Sequence, residues 1–203
     1  MDRKREVFFI AGLGNPGKRF NNTRHNIGSM VLDALAGSMD KRIEKERFLS
    51  RYLLVELEGK KVVMVCPLTY MNRSGEAISL WVEETGVDYR NMLLVHDDLD
   101  LPLGRIKAVR KGGAGGHKGV ESVMKYLKSD EFNRLKIGIG RPLYGEPIED
   151  FLLSEFYADQ LDIVNRVVEV GAMACLWFVQ RGIDYTMNRI NPSNLLEKKE
   201  VID

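Results

Sequence analysis

His25 is one of three histidines in the chain, and the residues around it are of the kinds that move protons and hold amides. It lies in Thr-Arg-His-Asn, shortly after a Gly-Leu-Gly-Asn-Pro-Gly stretch carrying Asn15 and just ahead of an apolar helical pattern. Asp97 follows the apolar run Met92 to Val95, at the carboxyl end of a strand, where open α/β sheets place their sites. A carboxylate bonded to one imidazole nitrogen fixes the tautomer and raises the basicity of the other nitrogen, which can then take a proton from water. Asn15, Asn26 and Asn72 recur at matching loop positions. Such amides donate to a developing oxyanion, or hold a peptide group, without changing the net charge. Two plainer roles stay open on periodicity alone: His25 as a helix N-terminal histidine bonded to nearby backbone, and Asn72 as a turn or cap residue.

Competing chemistries are less well supported. Gly12, Gly14 and Gly17 spell G-x-G-x-x-G after a strand, but a dinucleotide fingerprint needs a helix opening at the loop and an acid about 20 residues on, at a strand tip. Pro16 and the polar run Lys18 to Asn22 delay the helix, and Asp33 lies within it. The glycines are expected instead to let backbone approach a ligand closely. Ser29 and Ser74 lack the G-x-S-x-G turn, and Cys66 precedes a proline, so water is the more economical nucleophile. No histidine pair has the helical spacing of a zinc protease, and no metal or cofactor is expected.

The elements that must position these groups follow from patterning. Val7 to Ala11 reads as a strand. Ile27, Met30, Val31, Ala34 and Leu35 form one helical face that stops at Gly37. Tyr52 to Leu57 and Val62 to Cys66 read as a hairpin, and the Leu68 to Gly75 segment carries Asn72 toward a helix with Ala77, Ile78, Trp81 and Val82 on its apolar face. A strand from Arg105 to Val109 leads through Gly112 to Gly116 into a helix with His117 and Lys118 at its start. Leu135 to Ile139 alternates like a strand, and Ile148 to Leu153 reads as a short crossing element. A long helix from about Ala158 to Gly182 and a last helical stretch from Asp184 complete the chain. The alternation of strands and helices argues for an α/β sandwich around a mixed sheet.

The 203 residues suffice for one substantial core, and no linker divides them, so residues 1–203 read as a single domain with a charged tail from about 192. Composition (44% apolar, 29% charged) is that of an ordinary soluble protein without a membrane span or secretory signal, which points to the cytoplasm. Cys66 and Cys175 read as buried thiols. The net charge of +1 carries no overall bias toward nucleic acid, yet Arg105, Lys107, Arg110, Lys111 and Lys118 cluster with no intervening acid. That cluster suits a phosphate backbone, or equally a solvated strand edge protected from pairing.

Taken together, Gly-Leu-Gly-Asn-Pro-Gly, Thr-Arg-His-Asn, Thr-Tyr-Met-Asn-Arg-Ser-Gly, His-Asp-Asp-Leu-Asp-Leu-Pro, Gly-Gly-His-x-Gly and Arg-Leu-Lys-Ile-Gly-Ile-Gly-Arg-Pro occur in one order between Val7 and Asn191. In this the chain resembles the bacterial peptidyl-tRNA hydrolases. The resemblance implies a monomeric three-layer α/β/α sandwich around a mixed, mostly parallel sheet. It also implies a cofactor-free, metal-free esterase that frees peptide from the 3′-ribose of tRNA and so recycles tRNA from abandoned translation. By matching motif, His25 is the base and Asp97 its partner. Asn15 and Asn72 hold the substrate, Tyr70 and Met71 line the cleft, and His117 and Lys118 join the substrate-binding set. Arg105, Lys107, Arg110 and Lys111, with Arg134, meet the tRNA acceptor arm. Lys118 stands where the family often has an asparagine, and it can donate to a carbonyl but not accept. Phe20 replaces a common tyrosine in the cleft, and the lid-like Leu143 to Asp150 segment is acidic here. The alternative is an RNA-binding relative that kept the fold and lost hydrolysis. Retention of His25, Asp97, Asn15 and Asn72 argues against it, because RNA binding needs none of them.

Overall fold

The computed structural model describes residues 6–194, so the charged tail beyond Asn194 lies outside the described residues. Seven strands and five α-helices occur there: β1 (Val7–Gly12), α1 (Ile27–Gly37), β2 (Lys45–Arg47), β3 (Ser50–Leu57), β4 (Lys60–Pro67), α2 (Ser74–Thr85), β5 (Met92–Asp98), β6 (Ile106–Val109), α3 (Lys118–Leu127), β7 (Asn133–Gly138), α4 (Ile148–Leu153) and α5 (Leu161–Ile190). The strands form one sheet in the order β2-β3-β4-β1-β5-β7-β6. The central run β4-β1-β5-β7 is parallel, whereas β2, β3 and β6 join antiparallel at the two edges.

The unbroken apolar runs of β1 and β5 follow from burial on both faces. Alternation sends Phe8, Ile10, Leu93 and Val95 to one face, against Val31 and Leu35 of α1 and Val167 and Phe178 of α5. Phe9, Ala11, Met92 and Leu94 face the other way, onto Ile78 and Trp81 of α2 and Val120 and Val123 of α3. Each large side chain buried in these layers contributes about 1.5–3 kcal/mol relative to exposure. The helices are thereby locked at fixed heights over the ends of β1 and β5, where the candidate site lies.

Two local differences from the sequence expectation, in β2 and at the start of the tail, have physical causes. Strand β2 is exposed along its length and carries no alternating apolar signal. The two C-terminal helical stretches are found as expected, within α5 on either side of a kink at Gly182 (φ 81°, ψ 178°). The start of the expected charged tail is tied down: Arg105 donates to the carbonyls of Ser193 and Asn191 at 2.6 and 3.0 Å, and Asn191 pairs through its amide with both backbone groups of Ala108. Asn191 thus covers the exposed backbone of the edge strand β6, which would otherwise invite intermolecular pairing.

Candidate active site

The loop after β1 is clipped to its neighbours before any ligand is considered. Leu13 donates its N–H to the Val95 carbonyl (2.9 Å) and accepts from Ser29 N–H (3.1 Å), joining β1, β5 and α1. A Cβ at Gly28 would lie 2.3 Å from the Val95 carbonyl oxygen, and one at Gly12 would lie 2.3 Å from the Gly28 carbonyl oxygen. Gly12 and Gly14, the latter with a Cβ position 2.5 Å from Ser29 Oγ, therefore make room for the protein's own helix, which corrects for them the expectation that they make room for a ligand, whereas Gly17 lines a cavity. Close approach of α1 to the strand ends is what brings His25 to Asp97.

His25 sits in a 3-10 turn, Arg24–Asn26, leading into α1. Its Nδ1 lies 2.9 Å from Asp97 Oδ1, a side-chain bond spanning 72 residues of sequence. It is not the nearby backbone bond of the plainer reading. Asp97 is 2% exposed. The same Oδ1 is approached by His117 Nε2 at 2.8 Å. Burial alone would raise the Asp97 pKa, but His117 and His25, by charge and by hydrogen bonding, hold the carboxyl well below the ordinary range. An ionised Asp97 can only accept, so His25 Nδ1 carries a proton and its Nε2 keeps the lone pair. His25 lines a cavity of about 420 Å³ with Asp97, His117, Leu99, Ile148 and Leu152.

The turn bearing His25 is held from beneath by Arg24, a residue with no sequence signal for this role. Arg24 is fully buried and donates to Ser154 Oγ and the Glu155 carbonyl, both at 2.6 Å. Its guanidinium lies 4.1 Å from the Phe151 ring centroid and 4.6 Å from that of Tyr157. A planar fork that stacks and donates in several directions suits this place, which lysine would not. Asn26 was visible only as a recurring asparagine. Its amide exchanges two bonds with the Asn15 backbone, at 2.8 and 2.9 Å.

The other expected site residues divide. Asn15 Oδ1 accepts from the Met71 N–H at 2.8 Å, which ties the first loop to the turn before α2. Its amide nitrogen has no protein acceptor among the described residues. Asn15 lines a second cavity of about 510 Å³. Met71 is buried and packs on α3, where a Cβ at Gly119 would come within 2.4 Å of its Sδ. Tyr70 is 56% exposed. Asn72 is exposed, and its side chain caps no helix. Phe20 is half-buried under the Arg19 guanidinium, and neither cavity includes it. Lys118 lines the first cavity and pairs with Glu121 at 3.3 Å.

The basic cluster is less uniform than its sequence. Lys107 projects from edge strand β6 and is exposed. Arg110 pairs with Asp184 and Lys111 with Glu131, all on the surface. Arg105 is engaged with the C-terminal backbone, as described above. Arg134 is 1% exposed and donates to the carbonyls of Gly113, at 2.7 Å, and Gly112. Its expected contact with the acceptor arm is therefore corrected to support of the glycine-rich loop from inside, because a buried guanidinium cannot reach a phosphate backbone.

His25, Asp97 and His117 also bring three possible metal ligands within 4.8 Å of one another. Their protonation does not suit a cation. His117 Nδ1 accepts from the Gly119 and Val120 N–H groups at 3.1 and 3.3 Å, so its Nε2 carries a hydrogen toward Asp97 and has no lone pair there. Burial pushes the thiols of Cys66 and Cys175 up to about 12, which leaves both as inert core groups. The chemistry available is that of a histidine base, an anionic partner and nearby amides.

A family model described as peptidyl-tRNA hydrolase matches residues 9–200. The peptidyl-tRNA hydrolase of Bacillus subtilis (strain 168) is 41% identical over 185 residues, covering 91% of this chain and 98% of its own. That of Aquifex aeolicus (strain VF5) is 37% identical over 191 residues, 94% of this chain and 100% of its own. The crystal structure of peptidyl-tRNA hydrolase from Acinetobacter baumannii superposes with a TM-score of 0.86 at 29% identity, covering 93% of this chain and 96% of the other. Sequence and fold agree over nearly the full length of each of these proteins, and the chain belongs to the peptidyl-tRNA hydrolase family.

Proposed function

We propose that this protein hydrolyses the ester joining a peptide to the 3′-terminal ribose of tRNA, with His25 as general base. The observation that carries the reading is the His25 Nδ1 to Asp97 Oδ1 bond, which leaves Nε2 as the acceptor on a histidine lining the cavity. Nε2 takes a proton from water as the oxygen attacks the ester carbonyl. The resulting imidazolium is stabilised by Asp97. As the tetrahedral intermediate collapses, the bond to the ribose oxygen breaks. The imidazolium returns the proton to that oxygen, freeing a tRNA with an intact terminal hydroxyl and the peptide as its carboxylic acid, which then ionises to solvent.

The Asn15 amide nitrogen, unpartnered while its oxygen is held by Met71, is available to a substrate carbonyl or peptide group. Asn72 and Lys118 offer further donors from the turn before α2 and the start of α3. Leu99, Ile148 and Leu152 give the cavity apolar walls suited to peptide side chains. Lys107, Arg110 and Lys111 are the exposed part of the basic cluster and are assigned to phosphate contacts on the acceptor arm. Such contacts position any tRNA, and selectivity falls to the peptide amide. We assign the enzyme to the cytoplasm, as a monomer. Among the described residues no helix is long and apolar enough to cross a membrane.

The test is release of N-blocked aminoacyl groups from tRNA by the pure protein. Turnover is expected to survive a chelator and to collapse in His25→Ala, whereas undiminished turnover in that variant would remove His25 from the mechanism. A role confined to RNA binding would leave the buried dyad without purpose, and that reading requires wild-type protein to bind tRNA without releasing the acyl group.

A further inference from the structure

We propose that His117 is a positioning residue that shares the Asp97 carboxylate with His25 and thereby sets the pH below which His25 stops acting as a base. The inference rests on the hydrolytic reading and deepens it.

Three observations carry it. Both histidines bond one oxygen, Asp97 Oδ1, at 2.9 Å from His25 Nδ1 and 2.8 Å from His117 Nε2. The His117 tautomer is fixed independently of Asp97, because its Nδ1 caps α3 by accepting from Gly119 and Val120 N–H. His117 is thus compelled to present Nε2–H to the carboxylate. Its ring also lies 5.0 Å from that of His25, centroid to centroid, so it walls the side of the base as well as the carboxylate.

A hydrogen bond donated to an ionised carboxylate stabilises that anion and lowers its attraction for a second proton donor. With His117 in place, Asp97 still orients His25 but stabilises its imidazolium less than an undivided carboxylate would. Removing the His117 donor would leave the carboxylate undivided toward the His25 imidazolium.

Other charges near the dyad are largely matched. On β5, His96 is buried and kept neutral chiefly by that burial, with its ring 4.8 Å from His117. Lys136 of β7 pairs with Asp98 at 2.5 Å, Arg141 with Asp100, and Lys118 of α3 with Glu121. Glu149 of α4 lines the same cavity from its exposed side. His117 is the group among these that bonds the Asp97 side chain directly beside His25.

The test separates capping from donation. His117→Asn and His117→Ser retain an acceptor for the start of α3 but are too short to donate to Asp97. His117→Gln reaches Asp97 with its amide nitrogen and gives up the cap. Two readouts are taken on the full-length protein: the acid limb of kcat/KM for N-blocked aminoacyl-tRNA, and the NMR titration of the His25 ring, which needs no turnover.

In His117→Asn and His117→Ser both readouts are expected to move upward together by about 0.5–1 pH unit, a drop of roughly 3- to 10-fold in rate on the acid side. His117→Gln is expected to hold both within about 0.2 unit of wild type while lowering thermal stability through the missing cap. An unmoved His25 titration in folded His117→Asn or His117→Ser overturns the inference, and so do equal shifts in all three variants. Absence of turnover in wild-type protein would instead overturn the hydrolytic reading, and the ring titration would still judge the role of His117.

Discussion

Asp97→Asn removes one charge from the site and almost nothing else. The carboxamide oxygen can accept from His25 Nδ1 and His117 Nε2 where Oδ1 now does, so the geometry of the dyad is retained. What disappears is the anion beside the imidazolium that the proposed mechanism forms as water is deprotonated. Charge centres about 4 Å apart interact by roughly 4 kcal/mol at an effective dielectric near 20. Relaxation of the site and the surviving neutral bond reduce this to about 2–4 kcal/mol, or about 30- to 1000-fold in kcat. The assay is single-turnover release of acyl group from N-blocked aminoacyl-tRNA, alongside tRNA binding measured separately. The expected result is that fall in rate, binding within about twofold of wild type, and an acid limb shifted to lower pH because the base no longer has its counterion. A rate within a few-fold of wild type would refute a charged dyad. A fall in binding as large as the fall in rate would make Asp97 a structural residue.

Four further outcomes follow from the same geometry. Burial lowers the His96 pKa well below the 6.5 of an exposed imidazole, so the unfolded chain binds the extra proton first. This contribution to stability is present above about pH 6.5 and is lost as pH falls below it. His96→Asn, which can keep the short bond from the ring Nδ1 to the Asp97 carbonyl, is expected to flatten the decline in Tm between pH 6.5 and 5, and an unchanged decline would exonerate His96. Arg24→Lys gives up the fork and the stacking on Phe151, with an expected cost of about 2–4 kcal/mol by urea denaturation and a lower kcat through the displaced His25 turn; a change under about 0.5 kcal/mol would mean the buried network is not cooperative. Lys107→Glu should weaken tRNA binding and reduce the slope of log K against log salt by about 0.9 for each phosphate no longer neutralised. Arg134→Lys should lower Tm without changing that slope, and a changed slope would return Arg134 to the tRNA interface.

Most secondary structure and the identity of the dyad were legible in the chain itself. Local periodicity is written by burial, so β1, β5, α1 and α3 announce themselves, as does the delivery of Asp97 by a buried strand. The motifs around His25, Asp97, Asn15 and Asn72 carried the family. Exposed β2 left no such trace, because it is not encoded in an apolar pattern.

What only the tertiary structure decided is how similar residues divide between duties. Arg134 and Lys107 look alike in a basic stretch, yet one is buried beneath a glycine loop and the other exposed on an edge strand. Gly12 reads as room for a ligand and proves to be room for a helix. His117 reads as a substrate contact, and only its cap on α3 fixes which nitrogen meets Asp97. Residue type sets what a side chain can do. Its burial and partners, which depend on segments up to 136 residues away in the case of Arg24, set which of those things it does.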